Sequence, residues 1–380
     1  VLPFKNLSND EEQEYFADGI TEDIIANLSL WKTFPVISRN SSFSFKNSTE
    51  KSDVISKALG ARYLVEGSVR KAGNKVRITA QLTSADDDKQ IWSKRWDRSL
   101  EDIFEVQDEV SRDVAALISP ALKDQEQVKL STKGKKNFGA WDEYLQGLNI
   151  YNTENFAGST SGDKVIEHCK RAIELDANFC DAYVLYCNVL QGMIYSHEHQ
   201  DKREENTKLF HQMAQKAVDT DPENPDAMSS LSMSYSIKKD LNKRLETAEK
   251  ALELNPSHPR SNFSYGQALT NFGRNEEALS YVNKAIEMDP QSKKNYEGFF
   301  PLLYIALKDW ENAITWLNTA HERSPHSRYF GWKAAVYGKM NDLESAKENL
   351  NSFLKERPEI KTLEDYEKVA PTIIKDTLLE

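Results

Sequence analysis

The sequence predicts a multidomain protein of α/β plus all-α class, with an N-terminal α/β sandwich built on a mixed sheet and then a right-handed helical solenoid. Two observations support this prediction. Residues 1–122 mix alternating strand patterns with helical ones. After residue 138, a phrase that ends one helix and begins the next recurs about every 34 residues. The 380 residues are enough for two or three domains, and 29% charged residues with a mean hydropathy of −0.66 are typical of a folded chain.

The N-terminal third has the predicted order β-α-β-α-β-β-β-α. Alternating residues on either side of the turn Ala72-Gly73-Asn74 predict a hairpin, and apolar residues at helical spacing predict a helix over Tyr15–Leu30. The other predicted elements are strands at Val1–Phe4, Phe34–Ser38 and Gln90–Asp97 and helices at Asp53–Leu59 and Leu100–Leu122. This order favours one mixed sheet covered by helices.

The recurring phrase appears six times, for example as ALELNPSHPRSN and AIEMDPQSKKNY. Its marker positions are Ala177, Pro222, Pro256, Pro290, Pro325 and Pro358, with spacings of 45, 34, 34, 35 and 33 residues. Small residues precede the marker at fixed distances, as Ala278 and Ala285 precede Pro290. This pattern resembles the tetratricopeptide repeat, a pair of antiparallel helices. The resemblance implies about six repeats over residues 138–360. The polar, basic composition of residues 123–137 predicts a linker, and apolar residues at helical spacing from Leu363 to Leu379 predict a capping helix at residues 361–380.

The three cysteines fit the same repeat pattern. Cys187 occupies the small position of a first helix, as Ser232 and Gly266 do in later repeats, and Cys169 falls at a bulky position of a second helix. Cys180 completes the set, and none of the three forms a CxxC pair. We therefore expect buried free thiols, because unpaired cysteine behaves as a small apolar residue. A disulfide would require an extracytoplasmic location.

Several stretches of the N-terminal third, taken in order, resemble the TolB amino-terminal-like domain. They are VLPFKNLSNDEEQEYFADGITEDIIANLS, VISRNSSFSFK, ALGARYLVEGSVRKAGNKVRITAQL and IWSKRWDRSLEDIFEVQDEV. In bacterial signalling proteins that domain often precedes tetratricopeptide repeats. There the upstream module is commonly a class III adenylate/guanylate cyclase, or a winged-helix DNA-binding domain followed by one membrane helix. The resemblance therefore implies that this chain is the C-terminal regulatory part of such a protein.

Motifs of catalysis are absent from the sequence. It contains no GxxxxGK[ST], HExxH or GxSxG, and we predict neither catalytic nor metal-binding residues, nor a cofactor. His197-Glu198-His199 is interpreted as a polar loop. The formal net charge of −11 argues against nucleic-acid binding, and no apolar run is long enough for a membrane helix. If the parent protein is a cyclase, its chemistry is expected upstream of Val1.

One candidate ligand site lies in the N-terminal third. Arg39, Asn40, Ser41 and Ser42 follow a predicted strand end, where α/β domains often bind ligands. The alternative is a turn in which Asn and Ser side chains bond the backbone. Asp18, Glu22 and Asp23 are interpreted as the solvated face of the first helix.

A second candidate site is the groove lined by the first helices of the repeats. By the tetratricopeptide resemblance, it would be formed by polar residues that can hold a peptide carboxylate or backbone. They are Asn188, Gln191, Arg260, Gln267, Asn271, Lys294, Tyr304 and Arg328.

The sequence thus predicts a non-catalytic sensor and protein-interaction region that binds a peptide, protein or small ligand and signals to an upstream output domain. Its alternatives are the periplasmic sensor of a winged-helix transcription regulator, or an assembly scaffold that forms a homodimer through the edge of the N-terminal sheet. The location is extracytoplasmic (periplasmic) if a membrane helix precedes Val1, and cytoplasmic otherwise.

Overall fold

A computed structural model of the chain describes residues 1–8, 10, 13–29, 34–85, 89–118, 137–153, 159–195, 201–323 and 325–369. The protein is mostly helical, with a small mixed sheet near the N-terminus. It divides into two compact units, Val1–Ser261 with Met288–Gln291, and Asn262–Glu287 with Ser292–Glu380. The predicted boundaries of the domains and linker stay predictions, and residues 119–136 lie outside the described residues.

The sheet of the first unit has four strands in the order β1-β2-β3-β4. They are β1 (Lys5–Asn6), β2 (Tyr63–Ala72), β3 (Lys75–Ser84) and β4 (Lys89–Ser99). β1 pairs with β2 in parallel, and the other neighbours are antiparallel. The predicted hairpin is confirmed: Ala72 pairs with Lys75 around Gly73, whose φ of 58° suits the first central position of a two-residue turn. A homodimer through a sheet edge stays a prediction.

Among the residues that the structure describes, four helices accompany the sheet: α1 (Glu14–Ser29), α2 (Arg39–Phe43), α3 (Ser52–Leu59) and α4 (Ile103–Ile118). The predicted strand Phe34–Ser38 is wrong, because residues 34–38 have no regular structure and Ser38 caps α2 through a bond from the backbone N–H of Ser41. The first strand lies slightly later than predicted. Backbone N–H groups of Leu2 and Leu7 bond to β2 on either side of β1.

One face of the sheet is buried beneath α1 and α4, while the opposite face packs α3 against β2. The first cluster includes Phe16, Ile20, Val69, Ile78 and Trp96, and the second includes Leu2, Ile55, Leu59 and Leu64. The first cluster continues without interruption into the helical part of the unit through Trp141. Trp141 makes edge contacts with the rings of Phe16 and Phe104 at centroid distances of 5.5 and 5.4 Å.

The helices that follow the sheet in this unit are arranged in pairs. They are α5 (Phe138–Thr153), α6 (Ser159–Leu175), α7 (Cys180–Tyr195), α8 (Arg203–Thr220), α9 (Pro225–Ile237) and α10 (Leu241–Leu254). In these pairs, the small residue on the first helix contacts the backbone of the second helix, as the resemblance implied. Ser232 Oγ donates to the carbonyl oxygen of Arg244 at 2.9 Å, and Cys187 Sγ lies 3.8 Å from that of Phe210. The three cysteines are buried and free, as predicted.

Two residues that end second helices of repeats bond to the N-terminal part of the same unit. Asn255 Nδ2 donates to the carbonyl oxygen of Ser29 at 2.8 Å. The backbone N–H of Ser38 donates to the carbonyl oxygen of Met288 at 3.0 Å, and Asp289 accepts hydrogen bonds from Ser38 and Ser41. Asn255 and Asp289 each precede a marker proline and are 34 residues apart.

Helix α11 (Pro259–Thr270) begins in the first unit and continues into the second. The other helices of the second unit are α12 (Asn275–Met288), α13 (Lys293–Glu297), α14 (Phe300–Ala306), α15 (Trp310–Arg323), α16 (Ser327–Lys339), α17 (Leu343–Glu356) and α18 (Leu363–Val369). Ala278, Ala285 and Ala313 are fully buried. A Cβ on Gly266 would lie 3.0 Å from the carbonyl oxygen of Ala278, so α11 and α12 are in close contact there. The predicted capping helix begins as α18, and residues 370–380 lie outside the described residues.

Candidate functional site

A pocket of about 220 Å³ lies in the first unit where three helical faces converge. One face of α1 contributes residues at helical spacing, α2 and the turn after it contribute a second face, and the last turns of α5 contribute the third. The lining residues are Tyr15, Asp18, Gly19, Glu22, Arg39, Phe43, Lys46, Leu145, Leu148, Asn149, Asn152 and Thr153. A Cβ on Gly19 would lie 2.3 Å from Leu145 Cδ1, so the missing side chain lets α1 and α5 meet closely.

Two ion pairs line this pocket. Arg39 Nε lies 2.9 Å from Glu22 Oε2, and Lys46 Nζ lies 2.6 Å from Asp18 Oδ2 and 3.1 Å from Glu14 Oε1. The guanidinium of Arg39 also stacks over the ring of Phe43, 4.0 Å from its centroid. The side chains of Arg39, Glu22, Lys46 and Asp18 are between 17% and 26% exposed, so these charges are partly shielded from water.

Burial controls the protonation of the pocket's acids. It raises the pKa of Glu22 to about 7, although the charge of Arg39 opposes the shift. It also raises the pKa of Asp18, against the stabilising hydrogen bond from Lys46. Tyr15 donates a hydrogen bond to Asp142 at 2.9 Å, and burial together with that carboxylate raises the pKa of the phenol. The pocket therefore holds carboxylates that are costly to ionise.

The interpretation of Asp18, Glu22 and Asp23 as a solvated helix face is wrong. Asp23 is 9% exposed and accepts a hydrogen bond of 2.8 Å from Trp141 Nε1. Helix α5 and Arg39 cover this side of α1. A polar helix face can be buried in this way when each of its charges has a partner.

The four candidate residues around α2 separate in the structure. Arg39 lines the pocket, whereas Asn40 is exposed and is not among the lining residues. Ser41 and Ser42 are fully buried. Ser41 bonds to Asp289, and Ser42 Oγ has no hydrogen-bond partner among the described residues. The segment is a helix rather than a turn, and it brings only Arg39 to the pocket. Whether the four form one ligand site stays a prediction.

In the first unit, three of the predicted groove residues lie on first helices of the repeats. Asn188 and Gln191 are half-buried on α7. Arg260, on α11, donates to Ser230 Oγ at 3.0 Å and lies 3.4 Å from Asp226 Oδ1. Burial disfavours the charge of Asp226, but His258 and Arg260 outweigh it and hold the pKa of Asp226 well below its usual range. Arg260 is thus fixed in place by α9.

In the second unit, the other five predicted residues lie on or next to first helices. Gln267 lies on α11 and Asn271 directly follows it, Lys294 lies on α13, Tyr304 on α14 and Arg328 on α16. Lys294 and Arg328 are exposed. The guanidinium of Arg328 lies 5.1 Å from the ring centroid of Tyr329. A role for these residues in binding stays a prediction.

Sequence reasoning missed the pocket as a whole. A signal existed: Tyr15, Asp18, Gly19 and Glu22 follow the i, i+3, i+4, i+7 spacing of one helix face. Their partners on α5 lie more than a hundred residues later. No group of three or more His, Cys, Asp or Glu side chains in the described ranges could hold a metal ion. His197-Glu198-His199 lies outside those ranges. The same ranges contain no helix that is long and apolar enough to cross a membrane.

Comparison with known families confirms the repeats. Two sequence profiles of the tetratricopeptide repeat match residues 225–258 and 245–293. A curated relative from Rhizobium meliloti (strain 1021), named "Putative adenylate cyclase 3", is 35% identical over 249 residues, which is 66% of this chain and 41% of the relative. The chain therefore matches less than half the length of that relative.

Solved structures show similarity over part of the chain. PilF of Pseudomonas aeruginosa is 14% identical with a TM-score of 0.43, covering 61% of this chain and 96% of PilF. PilW, a type IV pilus biogenesis factor, is 11% identical with a TM-score of 0.42, covering 62% and 100%. YrrB, a TPR protein with an unusual peptide-binding site, is 19% identical with a TM-score of 0.35, covering 51% and 95%.

Proposed function

We propose that this chain is a non-catalytic regulatory region of a bacterial signalling protein, and that it binds a peptide or protein segment through the first helices of its repeats. Tetratricopeptide repeats imply a role in protein interaction, and residues 225–293 match that family. The name of the rhizobial relative supports a cyclase-like signalling context. Because the match covers 41% of that relative, an output domain outside the matched part has room to exist.

The observation that carries this proposal is the anchoring of Arg260. Its guanidinium is held by Ser230 and Asp226 of the preceding first helix rather than left free in solvent. Burial raises the pKa of the Tyr151 phenol, and the charge of Arg260 opposes this shift. A positioned guanidinium suits a peptide carboxylate, because arginine binds carboxylates through parallel hydrogen bonds.

For the N-terminal part, we propose a TolB-like α/β sandwich that occupies residues 1–122, with the repeats over residues 138–360. The mixed sheet and the burial of its face beneath α1 and α4 support this proposal. A ligand bound to the repeats would signal to an upstream output domain by changing the populations of two conformations of the parent protein. The ligand would favour the conformation that it binds more tightly.

Peptide binding tests the proposal. We expect the full chain to bind members of a peptide library with free carboxyl termini or acidic side chains, measured by fluorescence polarisation. Arg260→Ala should weaken that binding by about tenfold or more, which is the effect of losing a charged hydrogen bond. Arg274→Ala is the matched control, because Arg274 pairs with Glu277 next to it on an exposed surface. Equal affinity of both variants, or no peptide binding, would contradict the proposal.

A further inference from the structure

The pocket between α1, α2 and α5 has the size of a small metabolite. Its volume of about 220 Å³ corresponds to about seven water molecules at roughly 30 Å³ each. Pockets for drug-sized ligands usually enclose about 300–1,000 Å³, so the occupant is smaller than that class. Leu145, Leu148 and the ring of Phe43 contribute apolar surface to the lining, and Asp18, Glu22, Arg39 and Lys46 contribute the charges.

The charges select the kind of ligand. Arg39 with Glu22 and Lys46 with Asp18 place two cations and two carboxylates around one small space. A ligand with a single charge that displaced one member of the Arg39–Glu22 pair would leave the other partly buried without that partner, which is costly. A ligand with both charges can give every group an opposite partner. We propose that this pocket binds a small zwitterion of the α-amino-acid type, with its ammonium facing Asp18 and Glu22 and its carboxylate facing Arg39 and Lys46.

The geometry of Arg39 suits the carboxylate end. Its Nε is used by Glu22, and stacking on Phe43 fixes the plane of the guanidinium. Within the described part of the chain, Nη1 and Nη2 of Arg39 make no hydrogen bond. A carboxylate can accept both of these N–H groups in the side-by-side arrangement that arginine favours.

Other lining residues of the pocket suit an ammonium group. Asn149, Asn152 and Thr153 of α5 carry amide and hydroxyl oxygens that can accept hydrogen bonds from an ammonium group. Glu14 lies 3.1 Å from Lys46 and adds a third carboxylate beside Asp18 and Glu22, so acids outnumber cations in this cluster. Burial raises the pKa of both Asp18 and Glu22, and a bound ammonium would offset this cost of ionisation.

Calorimetric titration and thermal shift of the full chain against the standard amino acids test the proposal. With leucine as the first probe, its analogues 4-methylpentanoate and 3-methylbutylamine each lack one charge. We expect at least one amino acid with an apolar side chain to bind saturably and raise the Tm. The matching single-charge analogues should bind about tenfold to a hundredfold more weakly, since each loses charged hydrogen bonds. If no amino acid binds, or if either analogue binds as tightly, the proposal is wrong.

Variants assign the binding to this pocket. Arg39→Gln should lose about tenfold or more in affinity, whereas Arg77→Gln should retain it, because Arg77 pairs with Asp97 on the exposed surface of the sheet. If Arg39→Gln does not fold, Asn149→Trp replaces an exposed lining residue with a ring that fills the space, and it should abolish binding. Unchanged affinity in these variants would overturn the proposal. Arg260→Ala should not alter the affinity for the amino acid, which distinguishes this site from peptide binding by the repeats.

Discussion

The hydroxyl of Ser41 donates a hydrogen bond of 2.6 Å to the carboxylate of Asp289, 248 residues later in the chain. The same hydroxyl accepts the backbone N–H of Gln291 at 2.9 Å. Ser41 is fully buried and Asp289 is 1% exposed, so neither group could turn to water instead. Ser41, which the sequence suggested as a ligand-binding residue, therefore has a structural partner.

Replacing Ser41 by Ala should destabilise this contact. The variant leaves the Asp289 carboxylate with one hydroxyl fewer and the N–H of Gln291 without its acceptor, at a cost of about 1–3 kcal/mol. Amide hydrogen exchange at Gln291 should become faster. Ser352→Ala is the control, because that exposed hydroxyl donates to the carbonyl oxygen of Glu348 within its own helix. Unchanged exchange at Gln291 would show that the bond contributes nothing.

Glu22 should make the stability of the protein depend on pH. Burial raises its pKa from an ordinary value of 4.5 to about 7, with Asp23 adding to the shift and Arg39 opposing it. Between these values the folded state keeps a proton that the unfolded chain has lost. The stabilisation is therefore complete below pH 4.5 and is lost as the pH rises through about 7.

The variant Glu22→Gln should remove that dependence. Relative to it, the wild type should lose about 1–3 kcal/mol in free energy of unfolding between pH 4.5 and pH 8, measured by urea denaturation at each pH. Arg39→Gln should move the titration of Glu22 to still higher pH, because it removes the charge that lowers the pKa. A stability difference that is constant with pH would contradict the raised pKa of Glu22.

A side chain at Gly266 should be destabilising. In Gly266→Ala the added Cβ would lie 3.0 Å from the carbonyl oxygen of Ala278 and from Val282 Cγ2, so these neighbours on α12 must shift by a few tenths of an ångström. We expect a loss of about 1–3 kcal/mol, typical of overpacking. Gly338→Ala is the matched control within a helix, since nothing lies within 4 Å of its Cβ. Thermal denaturation should show Gly338→Ala to be neutral or stabilising by up to about 1 kcal/mol.

Two of the thiols should be unreactive in the folded protein. Burial raises the pKa of Cys187 to about 12 and that of Cys169 well above its usual range, and both side chains are fully buried. The thiolate is the reactive form, so neither residue should react with a thiol reagent at pH 8 until the chain unfolds. Mass spectrometry of labelled peptides checks this result. Rapid labelling of either cysteine under native conditions would contradict it.

The repeats were predictable from the sequence because their signal is redundant. Proline after the second helix, a small residue in each helix and a 34-residue period all indicate the same pairs. The β2–β3 hairpin was predictable for a similar reason, since alternation and a Gly-containing turn coincide there. In contrast, Phe34–Ser38 offered only a short apolar run, and periodicity cannot assign such a run to a strand.

The pocket was not predictable because its parts come from distant stretches of the chain. On α1 alone, Asp18, Glu22 and Asp23 show an acidic face that usually meets solvent. Only the packing of α5 against Gly19 and the approach of Arg39 reveal that this face is covered. Local sequence identifies which residues share a helix face, but not which helix lies opposite.

The two attachments at Asn255 and Asp289 restrict how this repeat array can evolve. Repeat proteins commonly behave as one-dimensional stacks in which each unit contacts only its neighbours, so a repeat can be gained or lost without disturbing the others. Here two positions one period apart are bonded to the N-terminal part of the chain. Duplication of a repeat between them would displace one attachment by a whole period. Growth by duplication is thus expected to be tolerated elsewhere in the array and selected against between these two positions.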